Sequence, residues 1–334
     1  MKSTVRKYVI ALGICAVLLS CNKDAEENIE KAKVDITDPT QKGTLEFEAG
    51  PVGATTFKVG DTVKFAFQGN ADLVNFYSGA FGNAYDYIDK DRFYDITANL
   101  SFRSSTSPNN GSPVNYECAQ LVYSTDFNGE QTYNNVISAM WIPITDRFEL
   151  PTGVPKTITD YVNSGVGDIS DIFEEGKPVY LAWHCTTQAG SSRVQFRVIE
   201  TSLKGVVIDN SALSKELYTQ GDMNFKWVEN QASAEQTSNR PSVSTTQLQW
   251  NGIFNNTAGP LKEGYAISKA LELPQFNAGK DKPTILLPKN DGKWSTHTFI
   301  YDRPGTYEVV FVASRLGASN ESDIVKKMTI TIEE

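Results

Sequence analysis

The chain has 334 residues, 36 of them aromatic, and sets 31 Lys plus Arg against 40 Asp plus Glu, for a net charge of −9. Length and aromatic content suffice for about two domains with a substantial core, and they exclude a disordered chain, which would be poor in aromatic and β-branched residues. The acidic balance argues against a nucleic-acid binder, which needs a basic stripe.

Lys2, Arg6 and Lys7 form a basic start, followed by the apolar run YVIALGICAVLLS at 8–20. The run is too short to span a bilayer, which takes about 20 residues, and has the length of a secretory signal. It closes on Leu18-Leu19-Ser20-Cys21, which resembles the lipobox of bacterial lipoproteins. That resemblance implies removal of 1–20, lipidation of Cys21 and a lasting hold on the membrane, since two or more acyl chains anchor stably where one does not. The chain left after cleavage would carry −12. Asn22-Lys23-Asp24-Ala25-Glu26-Glu27 follows, and acidic residues here resemble the signal that sends Bacteroides-type lipoproteins to the outer face of the outer membrane. A plain solvated linker is the other reading. Residues 21–43 lack aromatics and are expected to form a flexible tether.

With Cys15 in the signal and Cys21 lipidated, Cys118 and Cys185 remain. In a secreted protein they are either a disulfide or two buried thiols. No CxxC occurs, so no thiolate zinc site is expected.

From 44 onward short strands alternate with Gly, Asn, Asp and Pro. TLEFEA (44–49), TVKFAFQG (62–69), YEVVFVAS (307–314) and the last eight residues all show period-two alternation. In 62–69 this places Val63, Phe65 and Phe67 on one face. Helical periodicity is scarce, the best short candidate being 211–219. The expected class is all-β, built as sandwiches.

FKVGDTVKFAFQGNADLVNFYSGAFGNAY (57–85) resembles the first half of an immunoglobulin-like domain of the polycystic-kidney-disease (PKD) type. YDRPGTYEVVFVAS (301–314) and KKMTITI (326–332) resemble its second half, with Gly305 at the tight turn and Tyr307 the aromatic just inside the strand. The resemblance implies one split sandwich from 44–95 plus 286–334. Three domains in series, or two sandwiches each completed locally, are the competing arrangements. MWIPITDRFELP (140–151) and GDISDIFEEGKPVYLAWHC (167–185) resemble a galactose-binding-like jelly roll, which would occupy 96–285. Over most of the chain this order of segments resembles an uncharacterised family of Bacteroides-type surface lipoproteins. Its members accompany Sus-like glycan uptake systems. The resemblance implies location and context but brings no catalytic motif.

The chemistry is sparse. His184 and His297 are the two histidines, and no HExxH, GxSxG, phosphate loop or GxGxxG is present. His184, beside Trp183 in a strand-like run, reads as structural. Asp168 and Asp171 read as turn-capping residues, a calcium site being the alternative; no metal or cofactor is expected. Sugars bind on aromatic faces, with Asn, Asp, Gln and Arg reaching their hydroxyls. Trp141 and Trp183 have apolar neighbours and read as core. Trp227, Trp250 and Trp294 lie among polar neighbours, in NFKWVEN, QLQWNG and DGKWSTH, and are the candidate glycan platforms. The polar stretch 229–247 reads as a connector. The expectation is a non-catalytic glycan-binding accessory of a polysaccharide uptake system, with polysaccharide and Sus-like importer proteins as partners. A structural or adhesive protein and a glycoside hydrolase are the alternatives.

Overall fold

The computed structural model describes residues 44–108, 117–152, 157–188, 194–235, 240–252, 261–287, 294–315 and 323–334. The signal-like segment, Cys21 and the tether lie outside the described residues. The protein is all-β, and among the described residues no helix is long and apolar enough to cross a membrane. It divides into two compact units. One comprises the described residues of Met1–Tyr85 with Lys282–Glu334, the other is Asp86–Asp281.

In the first unit a three-stranded sheet runs in the order Phe47–Pro51, Thr62–Gly69, Ser295–Ile300. A five-stranded sheet runs Thr284–Leu286, Leu73–Tyr77, Gly305–Ser314, Ile324–Glu333, Thr56–Lys58. The last two of these pair in parallel, which antiparallel hairpins cannot produce and which joins the two ends of the chain. Alternation decides what fills the interior: Val63, Phe65 and Phe67 from one sheet meet Phe76, Val309, Phe311 and Ile330 from the other. Phe311 lies at the centre, with ring centroids 5.0 Å from Phe76, 5.8 Å from Phe65 and 5.9 Å from Phe67. Tyr301 is fully buried and its hydroxyl donates to the Ser78 carbonyl at 2.8 Å. The Tyr307 hydroxyl donates back to the Arg303 carbonyl at 2.9 Å, an upstream bond of the tyrosine-corner kind known from immunoglobulin-like sandwiches. Gly79 (φ 78°) permits the corner before it: a Cβ there would stand 2.6 Å from the Glu308 carbonyl oxygen.

The second unit packs a seven-stranded sheet on a five-stranded one. The seven-stranded sheet centres on two long strands, Ile96–Pro108 and Val194–Val207, paired along their length. Gln247–Asn251 flanks them on one side, and Val162–Asn163 and Gly167–Asp168 on the other. The five-stranded sheet runs Lys226–Glu229, Lys262–Ile267, Tyr180–Thr187, Ala119–Ser124, Ile142–Pro143. Trp183 fills the space between the sheets, 5.0 Å from both Phe102 and Phe196. Cys118 and Cys185 are both buried and both free thiols, so they form no disulfide; burial pushes the Cys118 pKa up to about 12.

Two expectations need correction. The unit boundary falls at Tyr85 rather than 95, because Arg92–Tyr94 pairs with Phe276–Gly279 and Arg92 ion-pairs with Asp281, all within the second unit. Segment 211–219 is not a helix. Asn210–Thr219 is a strand that folds back on Val194–Val207 across the turn after Val207. Its good helix formers yield to the edge offered by the long strand, since tertiary pairing overrides local propensity.

Candidate functional site: a polar face on the seven-stranded sheet

A two-layer sandwich has two outer faces, and here they differ. The outer face of the five-stranded sheet is apolar, and the short helix Tyr133–Ser138 packs on it. Val136 of that helix joins Val122, Ala182, Val228 and Ile267 in a second small core. The outer face of the seven-stranded sheet is polar. Period two sends Leu248 and Trp250 inward and Gln247, Gln249 and Asn251 outward. In the neighbouring strand it sends Val194, Phe196 and Val198 inward and Gln195 and Arg197 outward.

The outward side chains bond to one another. Gln249 Oε1 accepts from Arg197 Nη2 at 2.7 Å, from Arg197 Nε at 3.1 Å and from Gln247 Nε2 at 3.3 Å. Asn251 Oδ1 accepts from Gln249 Nε2 at 2.7 Å and from Gln195 Nε2 at 3.0 Å. Asn251 Nδ2 donates to the Arg240 carbonyl at 2.9 Å, which ties the ladder to the segment leading into the edge strand Ser242–Val243. Tyr161 stands beside it, its hydroxyl 3.5 Å from Arg197 Nη1 and its ring 5.3 Å from the Arg103 guanidinium. Arg103 pairs with Glu200 at 3.1 Å. Glu200 has φ 55°, where the pairing of the long strands slips by one residue between Ile199 and Ser202. Such a bulge costs backbone strain and re-aims a side chain; here it turns Glu200 toward Arg103.

The ladder residues are all half-buried. Their amides are held in fixed orientation while their edges stay open to solvent. An amide offers one carbonyl and two N–H groups. The mutual bonds use Gln195 and Gln247 as donors and leave their carbonyl oxygens to accept from a ligand. The arrangement is a preorganised grid of donors and acceptors with a tyrosine at its side, suited to a neutral, hydroxyl-rich molecule laid along the sheet.

Of the three tryptophans expected as platforms, the structure removes one and demotes another. Trp250 is fully buried, its indole N–H donating to Thr187 Oγ1 at 3.3 Å. Its polar neighbours belong to the opposite face of the strand. Trp227 is half-buried, 5.4 Å from Trp250, with its N–H donating to the Ser242 carbonyl at 3.0 Å. Trp294 is 53% exposed, but it belongs to the first unit, at the start of Ser295–Ile300. Trp183 is core; Trp141 is half-buried against Tyr265 and Phe127.

His184 sits on the rim of the apolar outer face. Its Nε2 lies 2.7 Å from Glu263 Oε1, the Tyr133 hydroxyl donates to Glu263 Oε2, and Tyr265 stacks on its ring at 4.2 Å. Burial, and then the hydrogen bond to Glu263, push the Tyr133 pKa up to about 12. The cluster pins the helix to the sheet. Asp168 caps a turn through Ser170 N–H at 2.8 Å, as expected of a turn residue. Asp171 instead forms a two-pronged pair with Arg147 at 2.5 and 2.8 Å, which holds its carboxyl below the usual range. No group of three or more metal-ligating side chains is found among the described residues.

Lys262 is buried behind the ladder. Its Nζ donates to the Asn251 carbonyl at 3.0 Å, and burial lowers its pKa to about 8.

Fold and site together define an all-β sandwich protein with a hydrogen-bonding sheet face. A family model described as Domain of unknown function (DUF5017) matches residues 20–220, more than half of the chain, and the chain belongs to that family. The match includes Tyr161, Gln195 and Arg197 and stops short of Gln247, Gln249 and Asn251. No curated protein and no solved structure matches the chain.

Proposed function

We propose that this protein is a non-catalytic outer-membrane surface lipoprotein, anchored through Cys21, that binds a glycan as an accessory of a polysaccharide uptake system. The glycan lies on the polar face of the seven-stranded sheet. The ladder from Gln195 to Asn251 is the observation that carries this reading, since it holds amides and a guanidinium in fixed positions on a half-buried, solvent-reachable sheet face. The basic start, apolar run and LLSC box support the anchor. The resemblance to lipoproteins that accompany glycan importers supports the context.

The energetics suit the role. Each neutral hydrogen bond contributes about 0.5–1.5 kcal/mol after exchange with water, and cover over part of one aromatic face adds about 1–3 kcal/mol. A handful of such contacts gives millimolar to high-micromolar affinity. That is weak for one site but adequate on a surface holding a multivalent polymer.

The test of binding is calorimetric titration of the chain from Asn22 onward against a polysaccharide panel, with product analysis of the same samples. Weak binding to one polysaccharide class without shortened oligosaccharides is the expected result. Shortened products would replace the reading with hydrolysis. The anchor is tested separately: Cys21→Ala should abolish labelling by fatty-acid probes in growing cells, and unchanged labelling would remove the lipoprotein assignment.

A protein-binding reading has one observation in its favour. Ile137, Met140 and Ile142, on and just after the short helix, are 52%, 67% and 40% exposed. Apolar side chains gathered on one surface mark contact sites. Capture of a protein partner that is lost in Met140→Asp, with no glycan bound, would favour adhesion.

A further inference from the structure

Arg197 sits between two strands of the polar face. Its neighbours across those strands are Ser105 on one side and Gln249 on the other, neither of them acidic. Its Nε and Nη2 donate to Gln249 Oε1 at 3.1 and 2.7 Å, and its Nη1 donates to the Tyr161 hydroxyl at 3.5 Å. Gln249 and Tyr161 therefore fix the guanidinium without neutralising it. Among the described residues Arg197 has no carboxylate partner.

The other described arginines of the second unit all have one. Arg92 meets Asp281 at 2.8 Å, Arg103 meets Glu200 at 3.1 Å, Arg147 meets Asp171 at 2.5 Å and Arg240 meets Glu229 at 2.6 Å. Arg103 is the closest comparison. It stands on the same face beside the same tyrosine, and the chain meets it with a glutamate held at a φ of 55°. No such counter-ion is built for Arg197. A half-buried cation left unpaired is unfavourable, because it gives up part of its hydration and gains no opposite charge. A guanidinium carries five N–H groups, and the three bonds above leave two of them for another acceptor.

We propose that the glycan on this face is anionic, and that a uronate carboxylate or a sulfate ester of it is the counter-ion of Arg197. The proposal rests on the glycan reading and names the class of polysaccharide. The ladder's amides take hydroxyls whatever the charge of the chain that carries them, so a neutral molecule would suffice for them alone. Arg197 adds the selection. A carboxylate or a sulfate offers two oxygens to the remaining N–H groups, and such charge-assisted bonds are about twice as strong as neutral ones. The net charge of −9 does not oppose this. Exposed charges farther away than about 8 Å are largely screened at physiological ionic strength, so the local guanidinium decides.

The probes are polygalacturonate and alginate, each beside its carboxyl-reduced form, carrageenan beside its desulfated form, and a neutral glucan and mannan. They are titrated calorimetrically into the full chain and into Arg197→Gln, which keeps a donor toward Gln249 and removes the charge. Wild type should bind one charged polymer about tenfold or more tighter than its uncharged counterpart, and added salt should weaken that binding. The reduced and desulfated forms tell a carboxylate from a sulfate. The preference for the charged form should vanish in Arg197→Gln. The proposal is overturned if the tightest ligand is a neutral polymer, if the uncharged counterpart binds wild type equally well, or if the preference survives in Arg197→Gln. Should that variant fail to fold, the paired polymers and the salt dependence on wild type decide alone. Binding of a neutral polymer overturns the anionic assignment and leaves the glycan reading standing, whereas binding of no polymer removes both.

Discussion

Phe311→Ala should lower the unfolding free energy of the first unit by about 3–5 kcal/mol, the usual cost of emptying a buried phenylalanine site. Phe311 is fully buried and its ring touches those of Phe47, Phe65, Phe67 and Phe76. Four of these five residues come from the first 80 positions of the chain and Phe311 from near its end. The cavity is therefore bounded by segments more than 200 residues apart, and neither can close it without the other. A loss of this size is a large fraction of a domain's total stability, about 5–15 kcal/mol. Hydrogen exchange is the informative measurement. Amides of Thr62–Gly69 and of Ile324–Glu333 should lose protection together, since both strands close on the same core. Loss confined to the C-terminal strands would mean that the two ends do not unfold as one unit.

Trp250→Ala should cost the second unit a similar amount, about 3–5 kcal/mol, while Trp294→Ala stays within about 0.5 kcal/mol of wild type. Trp250 is packed from three sides. Trp227 lies 5.4 Å away, the Lys262 ammonium 5.6 Å from its ring, and Gly264 is so close that a Cβ there would come within 2.8 Å of it. Removing the indole also leaves Thr187 Oγ1 without the bond it accepts. Chemical denaturation followed by far-ultraviolet circular dichroism would rank the two variants. Equal stabilities would place Trp250 at the surface and reverse its assignment to the core.

The contrast shows what the sequence reveals and what it hides. Period-two alternation in TVKFAFQG names the inward residues of its strand correctly: Val63, Phe65 and Phe67 are all buried. QLQWNG carries the same signal. Polar neighbours suggest an exposed Trp250, yet in a strand the immediate neighbours face the other way, so Gln249 and Asn251 outside imply Trp250 inside. The ladder itself was legible on that rule, as Gln-x-Arg at 195–197 and Gln-x-Gln-x-Asn at 247–251. What no spacing could show is that these two runs lie side by side, because their pairing is fixed by the packing of the whole sheet. The meeting of Tyr133, His184 and Glu263 was hidden for the same reason: their separations along the chain are 130 and 79 residues. The helix expected at 211–219 failed differently, through composition. Ala, Leu, Lys and Glu favour a helix locally, but a turn and a waiting strand edge made a hairpin the better partner.

If the polar sheet face holds a glycan, Gln249 is the residue that matters most to it, since three donors converge on its carbonyl oxygen. The direct measurement is calorimetric titration of wild type, Gln249→Ala and Trp294→Ala with the polysaccharide that wild type binds. Loss of the amide releases Arg197, Gln247 and Asn251 from the positions in which Gln249 holds them. The affinity of Gln249→Ala should therefore fall about tenfold or more, with Trp294→Ala unchanged. Undiminished binding by Gln249→Ala, or loss of binding in Trp294→Ala alone, would contradict the account and move the site off this sheet.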